Sequence, residues 1–151
     1  MRKVLFLDID GVCNSAEYAE RRFKKTGKGG LLGIDPILAK KVRRIVKETG
    51  CDVVLSSTWR LYDNARHQVR NEVVGFIDVT RNFQGGEQNG RVQRGYEVKE
   101  WLDRHPAVEQ YAILDDDSDF LPEQWLFKTT FKKGLTDEIA DNVISHLNAI
   151  D

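Results

Sequence analysis

Four consecutive apolar residues, Val4-Leu5-Phe6-Leu7, run directly into Asp8-Ile9-Asp10-Gly11 near the start of the chain. No other feature constrains the fold as tightly. A continuous apolar run bounded by turn-forming residues reads as a strand buried on both faces, which belongs inside a parallel sheet. Such a strand delivers its first polar residues to the carboxyl edge of the sheet, where open α/β folds bind ligands. Two acids at a buried strand tip are costly unless a cation or a proton compensates them.

The remaining chain supports that reading. Strand and helix signals alternate, predicting a Rossmann-like three-layer α/β sandwich with a central parallel sheet and the first strand in its middle. The first strand spans Lys3 to Leu7. Asp35-Pro36 reads as an N-cap with proline at the first helical position, and Gly50 as the end of that helix. Asp52 to Leu55 is a second strand that runs into Ser56-Ser57-Thr58. A helix from Trp59 to Val74, stopped by Gly75, precedes a short strand at Phe76 to Val79. Arg81 to Arg91 is loop or hairpin, and Gly95 to Arg104 is helical. Tyr111 to Leu114 is a fourth strand ending in Asp115-Asp116-Asp117, and Trp125 to Lys128 a fifth. Thr136 caps a final helix that carries Ile139, Val143 and Leu147 on one face.

The chain's 151 residues suit one domain, residues 1–151, with a core that needs no staples. A net charge of -1 gives no whole-molecule argument for nucleic acid or membrane binding. Cys13 and Cys51 have no zinc-like spacing and read as reduced, buried thiols. The N-terminal apolar run is too short for a signal peptide or a membrane span, so a soluble, cytoplasmic protein is expected. His67, His105 and His146 are spaced far apart and suggest no ligand role. The basic stretch from Glu17 to Lys28 contains Arg21, Arg22, Lys24, Lys25 and Lys28. It reads either as a solvated amphipathic helix or as a flap that attracts a polyanion.

Three strand ends thus carry polar clusters: Asp8/Asp10, Ser56/Ser57/Thr58 and Asp115/Asp116/Asp117. In a parallel sheet these meet at one edge, and four or more converging carboxylates require a counter-ion. Mg²⁺ suits an all-oxygen set that leaves room for water. The backbone N–H groups and hydroxyls around Ser56 and Ser57, at a helix N-terminus, favour a phosphate oxygen, and Arg94 completes an anion clamp. These parts suit phosphoryl transfer. Asp8 is placed as nucleophile and metal contact, Asp10 as the acid that protonates the leaving oxygen and then as base.

The same residues resemble the haloacid dehalogenase-like (HAD) phosphatases. Residues 8–12, DIDGV, match the DxDx[TV] first motif, and residues 55–57, LSS, the second. Arg94 is similar to the basic third motif, and residues 113–116, ILDD, to the acidic fourth. The resemblance implies a phosphorylated aspartate at Asp8 and general acid/base work by Asp10. Ser56 would bind the phosphoryl group and Arg94 would stabilise it. Asp115 and Asp116 would hold Mg²⁺ with Asp8 and the Asp10 backbone carbonyl. Asp119 competes with Asp116, because the fourth motif also fits a DxxxD variant.

More narrowly, the segments IDGV, SSTWR, RGYEVKEWL, ILDDDSD and GLTDE resemble the HAD domains of Swiss Army Knife RNA-repair proteins. The insert at about residues 14–34 forms a small flap rather than a cap domain. An open site of that kind implies a large substrate, a nucleotide or an RNA or DNA end, with small-metabolite phosphates as the competing class. The rival function is a phosphoryl-accepting, Mg²⁺-binding regulatory module resembling a receiver domain. Receivers place the phosphorylated aspartate on a middle strand, where this chain has Ser56. The sequence is silent on oligomeric state.

Overall fold

A computed structural model describes residues 2–28, 33–82 and 93–149. The strands β1 (Arg2–Leu7), β2 (Asp52–Leu55), β3 (Asp78–Val79), β4 (Val108–Asp115) and β5 (Leu126–Lys128) form one sheet in the order β3-β2-β1-β4-β5. Every pairing is parallel, and β1 lies in the middle as expected. The helices are α1 (Ala16–Thr26), α2 (Pro36–Thr49), α3 (Asp63–Glu72), α4 (Gln93–Asp103) and α5 (Asp137–Leu147).

The period-two geometry of a strand divides the core. Leu5 and Leu7 of β1, with Val53, Leu55, Ala112 and Leu114, pack on the face covered by Val42 and Ile45 of α2 and Val143 and Leu147 of α5. Val4 and Phe6, with Val54 and Ile113, face Val98 and Trp101 of α4. The Phe6 and Trp101 rings meet edge to face with centroids 5.4 Å apart. Both faces of the sheet are therefore covered, which explains why β1 is apolar without alternation from Val4 to Leu7. The fold is α/β and Rossmann-like.

Local signals act as the sequence suggests at several element ends. The Asp35 carboxylate accepts from Ile37 N at 2.9 Å, Pro36 opens α2, and Gly50 closes it in the left-handed conformation at φ 69°. Thr136 caps α5 by accepting from Ile139 N.

The helix expected from Trp59 to Val74 is broken. A single 3-10 turn, Thr58–Leu61, is followed by extended backbone at Tyr62 (φ -125°, ψ 130°) and only then by α3. The break has a cause in Arg60, whose side chain is drawn inward to backbone carbonyls instead of lying along a helix surface. Gly75 is not the stop: α3 ends at Glu72, with Val73 as its C-cap. The third strand is shorter than expected, and the loop at residues 83–92, including Arg91, lies outside the described residues.

Candidate active site at the carboxyl edge of the sheet

Register brings the polar clusters together. Leu7 pairs with Leu55 on one side and Leu114 on the other, so the next residue of each strand lies at the same level. Those residues are Asp8, Ser56 and Asp115. The ladder continues one step into them: Ser56 N donates to Leu7 O at 2.9 Å and Asp8 N to Leu114 O at 3.0 Å. All three are buried, Asp8 at 5%, Ser56 at 2% and Asp115 at 1% exposure.

Carboxylate oxygens of Asp8, Asp115 and Asp116 lie within 4.8 Å of one another. Arg94, from the first turn of α4, reaches across with Nη1 3.8 Å from Asp8 and 3.7 Å from Asp115. It also donates to Ser56 O. One guanidinium beside a group of three carboxyls leaves protons or a further cation to balance the cluster. Burial pushes the Asp8 carboxyl up to about 6, with Arg94 pulling the other way. Burial and then the charge of Asp8 push Asp115 up to about 9. Burial works against the Arg94 charge, but the fields of Asp8 and Asp115 outweigh it and raise its value.

A hard cation fits this group. The donors are all carboxylate oxygens, and Asp115 Oδ2 is buried without a hydrogen-bond partner. A buried orphan acceptor is costly in a native fold and marks a place for a ligand. The Ser56 hydroxyl is likewise buried and unpartnered. A metal at the acids and an anion oxygen at Ser56 and Arg94 would answer both deficits.

Asp10 stands apart. Its Oδ1 accepts from Asn14 Nδ2 at 2.9 Å and from Trp59 Nε1 at 3.1 Å, so its carboxylate is held beside the acid cluster rather than in it. The backbone between the two acids is fixed by Gly11. It sits at φ 80°, where other residues are strained, and a side chain there would collide with the Asp116 carboxylate. Gly11 N donates to Asn14 Oδ1 at 2.9 Å, and Gly11 O accepts from Thr129 Oγ1 at 2.5 Å. Asn14 and Thr129 are both buried and tie this loop to β5 and the start of α1. Sequence reasoning passed over them. The only signal for Asn14 was its position four residues beyond Asp10.

This geometry corrects one expectation. Three carboxylates converge rather than four or more, because Asn14 and Trp59 hold Asp10. Asp119 lies outside the three-acid group and lines a 270 Å³ cavity beside Arg94. Asp117 is exposed in the turn, its backbone N–H donating to Asp115 Oδ1 at 3.0 Å.

The Ser57 oxygen accepts from Trp59 N at 3.1 Å and caps the 3-10 turn. With Ser57 fully buried in that task, Ser56 is left as the strand-end hydroxyl without a partner. Lys99, the next basic residue of α4 after Arg94, is exposed and paired with Asp103 at 2.6 Å.

Arg60 donates to the backbone oxygens of Thr80, Ser56 and Ser57 at 3.0, 3.1 and 2.7 Å. It pairs with buried Glu97 at 3.2 Å. This residue pins the ends of β2 and β3 to α4. Glu97 occurs one helical turn after Arg94, so α4 presents both the guanidinium beside Asp8 and Asp115 and the carboxylate that pairs with Arg60.

The family model for the HAD domain in Swiss Army Knife RNA repair proteins matches residues 4–140, covering β1 through the start of α5. The chain belongs to this family. Membership makes it a HAD-type protein of the hydrolase class, with phosphatase chemistry as the family's characteristic activity. No curated protein and no solved structure matches it significantly. Among the described residues, no helix is long and apolar enough to cross a membrane.

Proposed function

We propose that this HAD domain is a Mg²⁺-dependent phosphomonoester hydrolase that works through phospho-Asp8 on nucleotide or polynucleotide terminal phosphates. One observation carries the reading. Asp8 shares a buried edge with Arg94, Ser56 and Asp115, while Asp10, two residues on, is held separately by Trp59 and Asn14.

A carboxylate oxygen of Asp8 attacks phosphorus, and the ester P–O bond breaks with its electron pair going to the leaving oxygen. Asp10 gives that oxygen its proton. The Arg94 guanidinium and the Ser56 hydroxyl bear on the phosphoryl oxygens where charge is spread in the transition state. Asp10, now ionised, takes a proton from water as the water oxygen attacks phosphorus. The Asp8–phosphate bond breaks and both carboxyl groups return to their starting states. Asp8, Asp115 and Asp116, with the Asp10 backbone carbonyl, would hold Mg²⁺, which when bound supplies charge neutralisation for an acid cluster and a phosphate brought together. Separate anchoring of Asp10 suits its role, because an acid drawn into the cluster would have no proton transfer to make.

The nucleotide preference rests on two observations. The insert contributes only one short helix, α1, which leaves the carboxyl edge without a cap domain among the described residues. That helix also has Arg22, Lys25 and the following Lys28 exposed.

A screen with Mg²⁺ over nucleotides, sugar phosphates and oligonucleotides phosphorylated at either end tests the proposal. Turnover should be strongest on the nucleotide or oligonucleotide class and be abolished in a folded Asp8→Asn variant. Asp10→Asn should accumulate phosphate on Asp8, detectable as a mass increase of one phosphoryl group. Full activity in Asp8→Asn would refute the mechanism.

A further inference from the structure

Next to Asp10 the surface opens into a groove of about 740 Å³ lined by Trp59, Tyr62, Asn64 and Gln68 on one side and Arg22 on the other. We infer that this groove is a nucleobase-binding shelf for the phosphorylated nucleotide, with Tyr62 as its stacking face. The inference rests on the phosphatase reading above, because the groove is defined by its continuity with the phosphate site.

Tyr62 is the residue that calls for explanation. It occupies the N-cap position of α3, where Ser, Thr, Asp or Asn would satisfy a free backbone N–H, and its side chain makes no such bond. Nor does it pack: the ring is 65% exposed. A large aromatic group that neither caps nor fills a core has a surface to offer a ligand. The broken helix described above is what projects it, since extended backbone at Tyr62 separates the 3-10 turn from α3.

The other walls match a base in chemistry. Asn64 and Gln68 carry both donors and acceptors, as the edge of a base does. Arg22 offers a planar cation able to stack on or hydrogen-bond a base. Trp59 joins the groove to the catalytic residues directly, because its half-buried indole donates to Asp10 while its ring lines the groove. A phosphate at Ser56 and Arg94 whose ester oxygen meets Asp10 would therefore direct its nucleoside toward this shelf. Stacking accepts any base, so the groove discriminates base from no base rather than one base from another.

The experiment compares kcat/KM for nucleoside 5′- and 3′-monophosphates with that for the corresponding ribose phosphates, which lack the base. The wild type should prefer the nucleotide by about tenfold, toward the lower end of what stacking one base on one aromatic ring contributes. Tyr62→Ala should bring the ratio close to one, and Tyr62→Phe should keep it. A ratio near one in the wild type, or one unchanged in Tyr62→Ala, overturns the shelf while leaving the phosphatase standing.

Saturation-transfer NMR with adenosine and uridine reads the shelf without turnover. Contact in the wild type that disappears in Tyr62→Ala supports it even if no substrate is hydrolysed, and absence of contact in the wild type overturns it. Loss of all phosphatase activity with nucleoside contact retained would refute the enzyme reading alone.

Discussion

The indole of Trp59 has two neighbours of different kinds, the Asp10 carboxylate on one side and an open groove on the other. Replacing it with phenylalanine keeps an aromatic ring but removes the donor to Asp10. Hydrogen bonds to charged groups contribute roughly 1.5–3 kcal/mol, so Trp59→Phe should lower kcat by about tenfold or more. An unchanged kcat would show that Asn14 alone orients Asp10.

At the neighbouring position, Gly11→Ala places a Cβ against the Asp116 carboxylate on backbone at φ 80°. The variant should lose Mg²⁺-dependent turnover before it loses its fold, since the strain falls on the loop and not on the core. Circular dichroism alongside an activity assay would separate the two losses.

At the level of elements, the ends of β2 and β3 are held by one buried side chain. Arg60 spends its guanidinium on three carbonyl oxygens and on Glu97. Truncating one member of a buried ion pair costs about 3–5 kcal/mol because the other charge remains desolvated. Arg60→Ala should therefore lower the unfolding free energy by that order, read from urea denaturation, and loosen the Ser56 strand end. A change under about 1 kcal/mol would place Arg60 among ordinary surface cations.

The same residue marks the limit of sequence reading. The apolar run of β1, the Asp35-Pro36 start of α2 and the Thr136 cap of α5 were legible because each is a local pattern with one physical meaning. Convergence of Asp8, Ser56 and Asp115 was legible because parallel strands fix where their ends go. The break at Tyr62 was not, since a long-range demand from Thr80 and Glu97 on Arg60 overrides the helical pattern around it. Likewise, nothing local distinguishes the capping of Ser57 from the open hydroxyl of Ser56, or separates Asp116 from Asp119.

The whole molecule carries an electrostatic cost at the middle of its sheet, and that cost has a measurable pH signature. In the folded protein Asp8 and Asp115 bind protons up to about 6 and about 9, against an ordinary value of 3.8. The native state thus retains protons that the unfolded chain has already released. Stability then falls as pH rises. This pair's contribution is fully present below 3.8 and is lost progressively as pH passes through about 6 and then about 9.

A divalent cation held by the same carboxylates replaces those protons and favours the ionised form, so it should restore what alkaline pH removes. Thermal melts with a chelator should therefore show the midpoint dropping between about pH 6 and about pH 8.5, and Mg²⁺ should raise it more at the higher pH. The difference between the two melts isolates this cluster, because ordinary surface carboxylates are already ionised at both pH values and any Mg²⁺ held there adds equally. Asp115→Asn should both flatten the chelator curve and abolish the Mg²⁺ increment, since it removes the most strongly perturbed acid together with a metal ligand. A Mg²⁺ increment that is equal at both pH values would mean that the ion binds elsewhere on the protein and that protons, not a metal, balance the buried acids.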